Sequence, residues 1–206
     1  MAPEYSTPPN IAIVLLAAGA SSRMRGQDKL LRQINDQALI LRATSAALAS
    51  HAAQVVVVLG KNAHLRRAEI APLGVKIVEN KAWSDGMGRS IAHGVRALDS
   101  LALGVVIALA DMPDIRAQDY DRLIAAFKNH GPEKIIRAMT QDSQPGHPVL
   151  FGRRYFGSLA QLSTDTGARE VLRQNAGKVI NVALDGGRAR TDLDTPDDWD
   201  KYQAPA

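Results

Sequence analysis

Four nearly unbroken apolar runs constrain the fold of this chain more than any other feature. They cover residues 11–17, 54–60, 75–79 and 104–110 and consist largely of Val, Ile, Leu and Ala. A strand that is apolar at successive positions is buried on both faces, as in a parallel sheet covered by helices. The runs therefore predict the centre of such a sheet.

Segments with helical periodicity separate these runs. We expect helices at residues 38–50, 62–71, 87–100, 117–129, 153–162, 166–175 and 196–202. Weaker strand candidates are residues 134–140, 148–151 and 179–184, one of which we expect to run antiparallel. This alternation predicts an α/β fold, a three-layer α/β/α sandwich around a Rossmann-like, mostly parallel sheet.

Length and composition narrow the class of protein. No repeat or linker divides the 206 residues, which predicts one domain over residues 1–206 with flexible tails at 1–10 and 203–206. No run approaches the roughly 18 apolar residues of a membrane helix, so we expect a cytoplasmic protein without membrane attachment. The absence of cysteine excludes disulfides and thiolate metal sites. Aromatic residues make up only 4% of the chain and its basic residues are scattered, which argues against a nucleic-acid partner.

The segment after the first run, called the first loop (residues 16–29), has the composition of a phosphate-binding loop. Its small residues allow a ligand to approach the backbone, whose amides can bind phosphate oxygens. Arg23 and Lys29 add two positive charges. The Walker A spacing is absent, and the missing GxGxxG pattern argues against a nicotinamide oxidoreductase. A simple turn with two solvated cations is the structural alternative.

Carboxylates follow the fourth run and gather near the C-terminus. Asp111 comes directly after that run, where the carboxyl ends of parallel strands form a ligand crevice. Because Mg²⁺ prefers a few carboxylates together with phosphate oxygens and water, Asp111 is a predicted metal ligand. Asp192 or Asp194 is a candidate second ligand. Thr195 and Asp198 have the spacing of a capping box, which is a structural role.

Two further segments offer polar groups to a ligand. Residues 80–90 lead into a helix whose serine hydroxyls and amides can bind a base or a phosphate, while Trp83 is interpreted as a core or lid residue. His147 stands between two prolines, and Arg169 opens a helix. Both are candidates to contact a second substrate, although a structural role for His147 stays open.

Six motifs in this order resemble those of the MobA-like nucleotidyltransferases. They are LAAGASSRM with Lys29 (16–29), GMGRS (86–90), ADMP (110–113), GHPVLF (146–151), DTGAR (165–169) and DLDTPDD (192–198). Together they span nearly the whole chain. The Leu-Ala-Ala-Gly start resembles the cytidine-using, MocA-type branch more than the guanosine-using branch, which has Leu-Ala-Gly-Gly.

The resemblance implies an activity and a role for each matching residue. CMP would pass from CTP to the phosphate of the molybdenum-loaded pterin cofactor, with Mg²⁺ bound and pyrophosphate released. The catalytic residues would be Arg23, Lys29 and Asp111. The nucleotide would be bound by Leu16, Ala17, Ala18, Gly19, Ser22, Arg23, Lys29, Asn80, Gly86, Met87, Ser90 and Ala110. Asp111 would hold Mg²⁺ with Asp194 or Asp192, and His147 and Arg169 would face the pterin.

Two positions depart from the family pattern, and other functions remain open. Arg25 is inserted before Gly26, and Ala110 replaces a glycine before Asp111. One alternative is a guanylyltransferase that uses GTP on the same cofactor, or an enzyme that transfers another nucleotide to a different phosphorylated molecule. Another is a non-catalytic chaperone that delivers the cofactor to a hydroxylase-type molybdoenzyme. Such a molybdoenzyme is also the expected partner of the cytidylyltransferase.

Overall fold

The computed structural model describes residues 10–204 of the 206-residue chain. Its strands are β1 (Ile11–Ala17), β2 (Gln33–Ile34), β3 (Gln37–Ala38), β4 (Gln54–Leu59), β5 (Lys76–Glu79), β6 (Gly104–Leu109), β7 (Ile135–Met139), β8 (Pro145–Gly152) and β9 (Val179–Ala183). Its α-helices are α1 (Leu39–Leu48), α2 (Ala63–Ile70), α3 (Met87–Arg96), α4 (Ala117–His130), α5 (Phe156–Ala160), α6 (Arg169–Gln174) and α7 (Pro196–Gln203). Of the expected tails, residues 1–9 and 205–206 lie outside the described range.

Seven strands form one sheet in the order β5-β4-β1-β6-β8-β7-β9. Strand β8 runs antiparallel to both of its neighbours, whereas the pairs β1–β4, β1–β6, β4–β5 and β7–β9 are parallel. The predicted mostly parallel α/β sheet, with one antiparallel strand in its later half, is confirmed.

The two faces of this sheet pack against different helices. All seven residues of β1 are buried, as the first apolar run predicted. Ile13 and Leu15 belong to a core cluster that includes side chains of α1, α2, α4 and α7. Val14 and Leu16 belong to the opposite cluster, with side chains of α3, α5 and α6. Alternate residues of one strand therefore hold together both helical layers.

Several element boundaries differ from the sequence prediction. The third helix ends at Arg96 rather than near residue 100, and β8 begins at Pro145 rather than at residue 148. The hairpin of β2 and β3 was not predicted, because two-residue strands are too short to show an alternation. Its turn places Asn35 and Asp36 at φ of +50° and +60°, which these residue types tolerate well. Across residues 10–204 no helix is long and apolar enough to span a bilayer.

Candidate active site

Two adjoining cavities lie where the chain leaves the carboxyl ends of β1 and β6. The larger has a volume of about 700 Å³ and the smaller of about 300 Å³. The residues that line both are Gly19, Ala20, Lys29, Met87, Leu109, Asp111 and Asp165. Lys29 and Asp111 therefore stand at the junction, although they are 82 positions apart in sequence. This arrangement can bring the reacting ends of two ligands together.

The ammonium group of Lys29 bridges two carboxylates at this junction. Its Nζ donates to Asp111 Oδ2 and, at 2.5 Å, to Asp194 Oδ1, while Arg23 donates to the other oxygen of Asp194. Burial by itself would lower the pKa of Lys29, but the charges and hydrogen bonds of Asp111 and Asp194 raise it above its ordinary value. Lys29 therefore carries a full positive charge at neutral pH. The predicted residues Asp111 and Asp194 therefore contact Lys29 directly, and the predicted residue Arg23 contacts Asp194.

The carboxylates at the junction can also accept a divalent cation. Asp111 Oδ1 is buried and has no hydrogen-bond partner among the described residues. Burial by itself would raise the pKa of Asp194, but the hydrogen bond and the charge of Lys29 hold this pKa below its usual range. Partial desolvation and the negative charges of Asp194 and Asp111 raise the pKa of Asp192 to about 6. Within residues 10–204 no three His, Asp or Glu side chains are spaced to enclose an ion by themselves. A metal here would thus need oxygen atoms from a ligand.

The segment 192–194 reaches the junction because two local features fix it. The amide of Leu193 donates to the carbonyl oxygen of Asp111 at 3.1 Å, which ties the segment to the end of β6. Thr195 Oγ1 accepts from the amide of Asp198, and Asp198 Oδ2 accepts from the amide of Thr195 at 2.8 Å. The predicted capping box of α7 is therefore confirmed. It orients the chain so that Asp194 faces Lys29.

Turns and one buried side chain shape the first loop. The amide of Met24 donates to the carbonyl oxygen of Ser21, and the amide of Gln27 to that of Met24, each at 3.0 Å. Met24 is only 1% exposed and anchors the loop to the core. The inserted Arg25 is exposed and has a φ of +51°, so it extends the outer turn. On either side of this turn, Arg23 and Lys29 both make their contacts at the junction.

Sequence reasoning missed the residue that holds this loop from behind. Arg66 on α2 is 0% exposed. Its guanidinium donates to the carbonyl oxygens of Ala17 at 2.7 Å and Gly19 at 2.9 Å, and to both carboxylate oxygens of Asp28. Burial by itself would raise the pKa of Asp28, but hydrogen bonds from Arg66 and Asn62 lower this pKa below its ordinary value. The pair therefore stays ionised and fixes the loop at both ends.

A signal for Arg66 was present in the sequence. The buried positions of α2 are Ala63, Arg66 and Ile70, which have the spacing of one helix face. A single arginine among apolar residues on that face indicates a buried, fully paired cation. The partner could not be identified, because Asp28 lies 38 residues earlier in the chain.

The smaller cavity combines the first loop with the segment before α3. In addition to the shared residues it is lined by Leu16, Ala17, Ala18, Leu30, Trp83, Ser84, Gly86 and Ser90. Gly86 has a φ of +111°, and a Cβ atom there would lie 2.1 Å from Asp165 Oδ1, so the glycine permits the contact between the two segments.

Asn80 and Ala110 do not line either cavity. The buried Asn80 amide donates to Ser90 Oγ at 3.1 Å and accepts from the amide of Ala82, so it supports the wall from behind.

The larger cavity contains the residues expected to face a second substrate. His147 and Arg169 both line it, as do Ser22, Arg23, Asp192 and Asp194 from the other predicted groups. Its apolar wall consists of Ile91, Ile107, Val149, Phe151 and Leu172. Burial, followed by the charge of Arg137, lowers the pKa of His147, so the imidazole is neutral at pH 7. Arg137 of β7 also lines this cavity, and sequence reasoning did not single it out.

Comparison with known proteins shows the family to which the sequence is similar. The family model for the MobA-like NTP transferase domain matches residues 13–179. Nicotine blue oxidoreductase of Paenarthrobacter nicotinovorans is 32% identical over 196 residues, which cover 91% of this chain and 93% of that protein. Molybdenum cofactor guanylyltransferase of Burkholderia vietnamiensis (strain G4 / LMG 22486) is 34% identical over 141 residues, 68% of this chain and 66% of that protein.

Solved structures with the same architecture include Rv0371c of Mycobacterium tuberculosis H37Rv. It superposes with a TM-score of 0.83 at 29% identity and covers 95% of this chain and 97% of its own. A structure of Rv0371c in complex with manganese superposes with a TM-score of 0.79 at 27% identity, covering 93% of this chain and 97% of its own. Each of these matches covers more than nine tenths of this chain.

Proposed function

Because this chain belongs to the MobA-like NTP transferase family and is therefore a nucleotidyltransferase, we propose that it transfers CMP from CTP to the phosphate of a molybdopterin-type cofactor. The relative from Burkholderia vietnamiensis, a molybdenum cofactor guanylyltransferase by name, supports the cofactor as acceptor. The Leu-Ala-Ala-Gly start of the first loop supports cytidine as the base. A hydroxylase-type molybdoenzyme is the proposed recipient of the product.

One observation carries this proposal. The two cavities meet at Lys29 and Asp111, which are among the residues that line both. A nucleotidyl transfer needs a donor and an acceptor whose phosphates meet at one charge-neutralising centre, and the junction has that form. The smaller cavity would hold the base and sugar of the nucleotide, and the larger cavity would hold the acceptor.

The first loop would bind the triphosphate. Its backbone amides around Gly19 and Ser22 can donate hydrogen bonds to phosphate oxygens, and Arg23 and Lys29 would neutralise the charge of the phosphates. Gly86, Met87 and the hydroxyl group of Ser90 would contact the nucleoside. Asn80 and Ala110 would act indirectly, since their side chains lie behind the cavity wall.

Mg²⁺ is the proposed metal ion. The orphaned oxygen of Asp111 and the nearby carboxylates of Asp194 and Asp192 are hard oxygen donors of the kind this ion prefers. When bound, Mg²⁺ would neutralise charge on the triphosphate and the leaving pyrophosphate. The manganese complex of Rv0371c supports a divalent cation in this fold. The ammonium of Lys29 donates to both Asp111 and Asp194, so it would share the neutralisation of these carboxylates with the metal ion.

The reaction requires positioning rather than a protein nucleophile. An oxygen of the acceptor phosphate would attack the α-phosphorus of CTP, and the bond from that phosphorus to the α,β-bridging oxygen would break. The electron pair leaves with pyrophosphate, and the acceptor keeps CMP through a new phosphoanhydride bond. The acceptor phosphate is already ionised at neutral pH, so no general base is needed. Arg23 and Lys29 would stabilise the charge that develops on the phosphates.

The test is a comparison of four nucleotides with one acceptor. The purified protein would be incubated with the molybdenum-loaded pterin, Mg²⁺ and either CTP, GTP, ATP or UTP, and pyrophosphate release and product mass would be measured. We expect a CMP adduct and pyrophosphate with CTP. A GMP adduct instead would establish the guanylyltransferase alternative, which the relative from Burkholderia vietnamiensis favours.

Two functions of other classes have distinct outcomes. An oxidoreductase is suggested by the name of the relative from Paenarthrobacter nicotinovorans, although the first loop lacks GxGxxG. Binding of NADH or NADPH, with no response to nucleoside triphosphates, would favour it. A non-catalytic chaperone would bind the cofactor and a large molybdoenzyme without releasing pyrophosphate.

A further inference from the structure

Trp83 is a half-buried aromatic residue that lines the smaller cavity. Among the described residues it belongs to neither buried apolar cluster of the sheet, and it is not one of the side chains packed against them. The other tryptophan of the chain, Trp199, is 0% exposed and lies in the core. Trp83 is therefore a wall residue of the cavity and not a core residue.

The place of Trp83 is fixed by close packing at the end of β4. Gly60 directly follows this strand, and a Cβ atom there would lie 2.6 Å from the Cβ of Trp83 and 2.9 Å from that of Ala18. No side chain fits into this space, so the glycine lets the two residues approach each other. Ala18 belongs to the first loop and also lines the smaller cavity. The packing thus brings Trp83 next to the start of the first loop.

Asn80 holds the same segment from behind. It is 0% exposed, its Oδ1 accepts from the amide of Ala82 at 3.1 Å, and its side-chain amide donates to Ser90 Oγ at 3.1 Å. Its backbone amide donates to the carbonyl oxygen of Leu59 at 2.8 Å. One buried side chain therefore links β4, α3 and the short turn that begins at Trp83. The position of Trp83 is set before a ligand arrives, which lowers the entropic cost of binding.

The ring of Trp83 has no stacking partner in the part of the chain that the structure describes. No second aromatic ring packs on it, and no guanidinium lies over it. Trp199, by contrast, has the guanidinium carbon of Arg32 at 4.4 Å from its ring centroid. A partly exposed indole in a cavity wall is stabilised when another flat surface covers it. Every nucleobase offers such a surface.

We propose that Trp83 is the stacking platform for the base of the nucleotide in the smaller cavity. The inference rests on the proposed nucleotidyl transfer, which places the nucleoside in this cavity. Because stacking tolerates every base, Trp83 supplies affinity and leaves the choice of base to polar groups. Nucleotide affinity then has two separable parts, which are charge neutralisation by the first loop and stacking on Trp83.

Tryptophan fluorescence tests this placement directly. The protein would be titrated, in the presence of Mg²⁺, with CTP and in parallel with inorganic triphosphate, which has no base. We expect CTP to quench the emission of the wild type, because the base covers the indole of Trp83, and triphosphate to leave the emission unchanged. Trp83→Leu retains only Trp199, which lines neither cavity, so its emission should not respond to CTP.

Calorimetry and kinetics separate stacking from a merely structural role. Trp83→Leu should bind CTP about five- to a hundredfold more weakly but should bind triphosphate like the wild type. Trp83→Tyr retains an aromatic ring and should restore most of the affinity. The KM for CTP should rise in Trp83→Leu while kcat stays near that of the wild type, since the stack is the same in the ground state and the transition state. A structural defect would instead weaken the binding of both ligands and lower kcat.

Controls distinguish this proposal from the broader function. Phe156→Leu changes a half-buried aromatic residue of α5 that lines neither cavity, and it should bind CTP like the wild type. An unquenched wild type, or equal CTP affinity in the wild type and Trp83→Leu, would overturn the proposal. The wild-type titration needs no variant, so it decides the question if Trp83→Leu does not fold. Quenching by GTP and not by CTP, or Trp83-dependent binding without transfer to the pterin, would support the platform and count against the proposed function alone.

Discussion

The two sides of the active site differ in how their charges are balanced. On the side of the first loop, Arg66 is paired with Asp28, and Lys29 with Asp111 and Asp194. In the larger cavity, Arg137 and Arg169 have no such partners among the described residues. Paired charges hold a loop in place before a ligand arrives, whereas unpaired charges gain their partner from the ligand. The first side is thus a preformed frame, and the second side holds positive charges that an anionic ligand would pair.

The largest expected effect lies at the point shared by both sides. Asp111→Asn keeps the size of the side chain and removes its charge, and with it the proposed metal ligand. We expect turnover to fall by at least about a thousandfold while the fold is retained, because charge neutralisation at the reacting phosphates is lost. Pyrophosphate release and the melting temperature measure the two effects.

Asp36→Asn is the matched control for this change. Asp36 is exposed in the β2–β3 turn, where its φ of +60° suits asparagine equally well. It should change neither turnover nor melting temperature. Near-normal turnover of Asp111→Asn would refute the metal assignment and the idea that the junction is the reaction centre.

The second effect tests whether the first loop is a preformed frame. Arg66→Met leaves the carboxylate of Asp28 buried and unpaired and removes two hydrogen bonds to loop carbonyls. Breaking a buried pair in this way costs about 3–5 kcal/mol, which corresponds to a fall in melting temperature of about 10 °C in a chain of this size. Thermal unfolding without ligand measures it directly.

A double variant sharpens this prediction. Asp28→Asn removes the stranded charge, so adding it to Arg66→Met should destabilise the protein by less than the sum of the two single changes. Arg67→Met, at a 46% exposed position on the same helix, should change stability by less than about 0.5 kcal/mol. Strict additivity of the Arg66 and Asp28 variants would contradict the role of the pair.

The same contrast explains what could be predicted from the sequence. The first loop is contiguous, so its small residues and the positions of Arg23 and Lys29 were visible together. Asp111 was found because it ends an apolar run that is buried on both faces. The architecture followed from the same runs, since burial on both faces requires helices on both sides of the sheet.

What could not be predicted depends on contacts between distant segments. Arg137 belongs to a weakly marked strand, and its place in the wall of the larger cavity depends on the antiparallel insertion of β8 between β6 and β7. A strand order cannot be read from the periodicity of one strand. Likewise, the glycine pattern around Gly86 suggested ligand contacts, while part of its role is to admit Asp165.

A smaller effect tests whether a ligand approaches the first loop closely. Gly19 lines both cavities, and a Cβ atom there would meet nothing within 4 Å in the free protein. Gly19→Ala should therefore leave the melting temperature of the free protein unchanged. It should raise the KM for CTP about tenfold, because the added methyl group occupies space needed by the nucleotide. Gly177→Ala, whose site is equally open but distant, is the control; equal KM values in both variants would contradict close approach.

The smallest expected effect is a pH dependence that belongs to the larger cavity. Burial and the charge of Arg137 hold the pKa of His147 below its ordinary value of 6.5, so below pH 6.5 the unfolded chain binds a proton that the folded protein does not. Stability should therefore fall as the pH is lowered from about 6.5 towards the folded-state pKa, by at most about 1.4 kcal/mol per pH unit for this one group. His147→Gln should flatten that part of the curve of unfolding free energy against pH, whereas the exposed His64→Gln should leave it as in the wild type. A curve that is identical in the wild type and His147→Gln would show that the pKa of His147 is not lowered in the folded protein, and the contrast between the two sides would lose its support at that position.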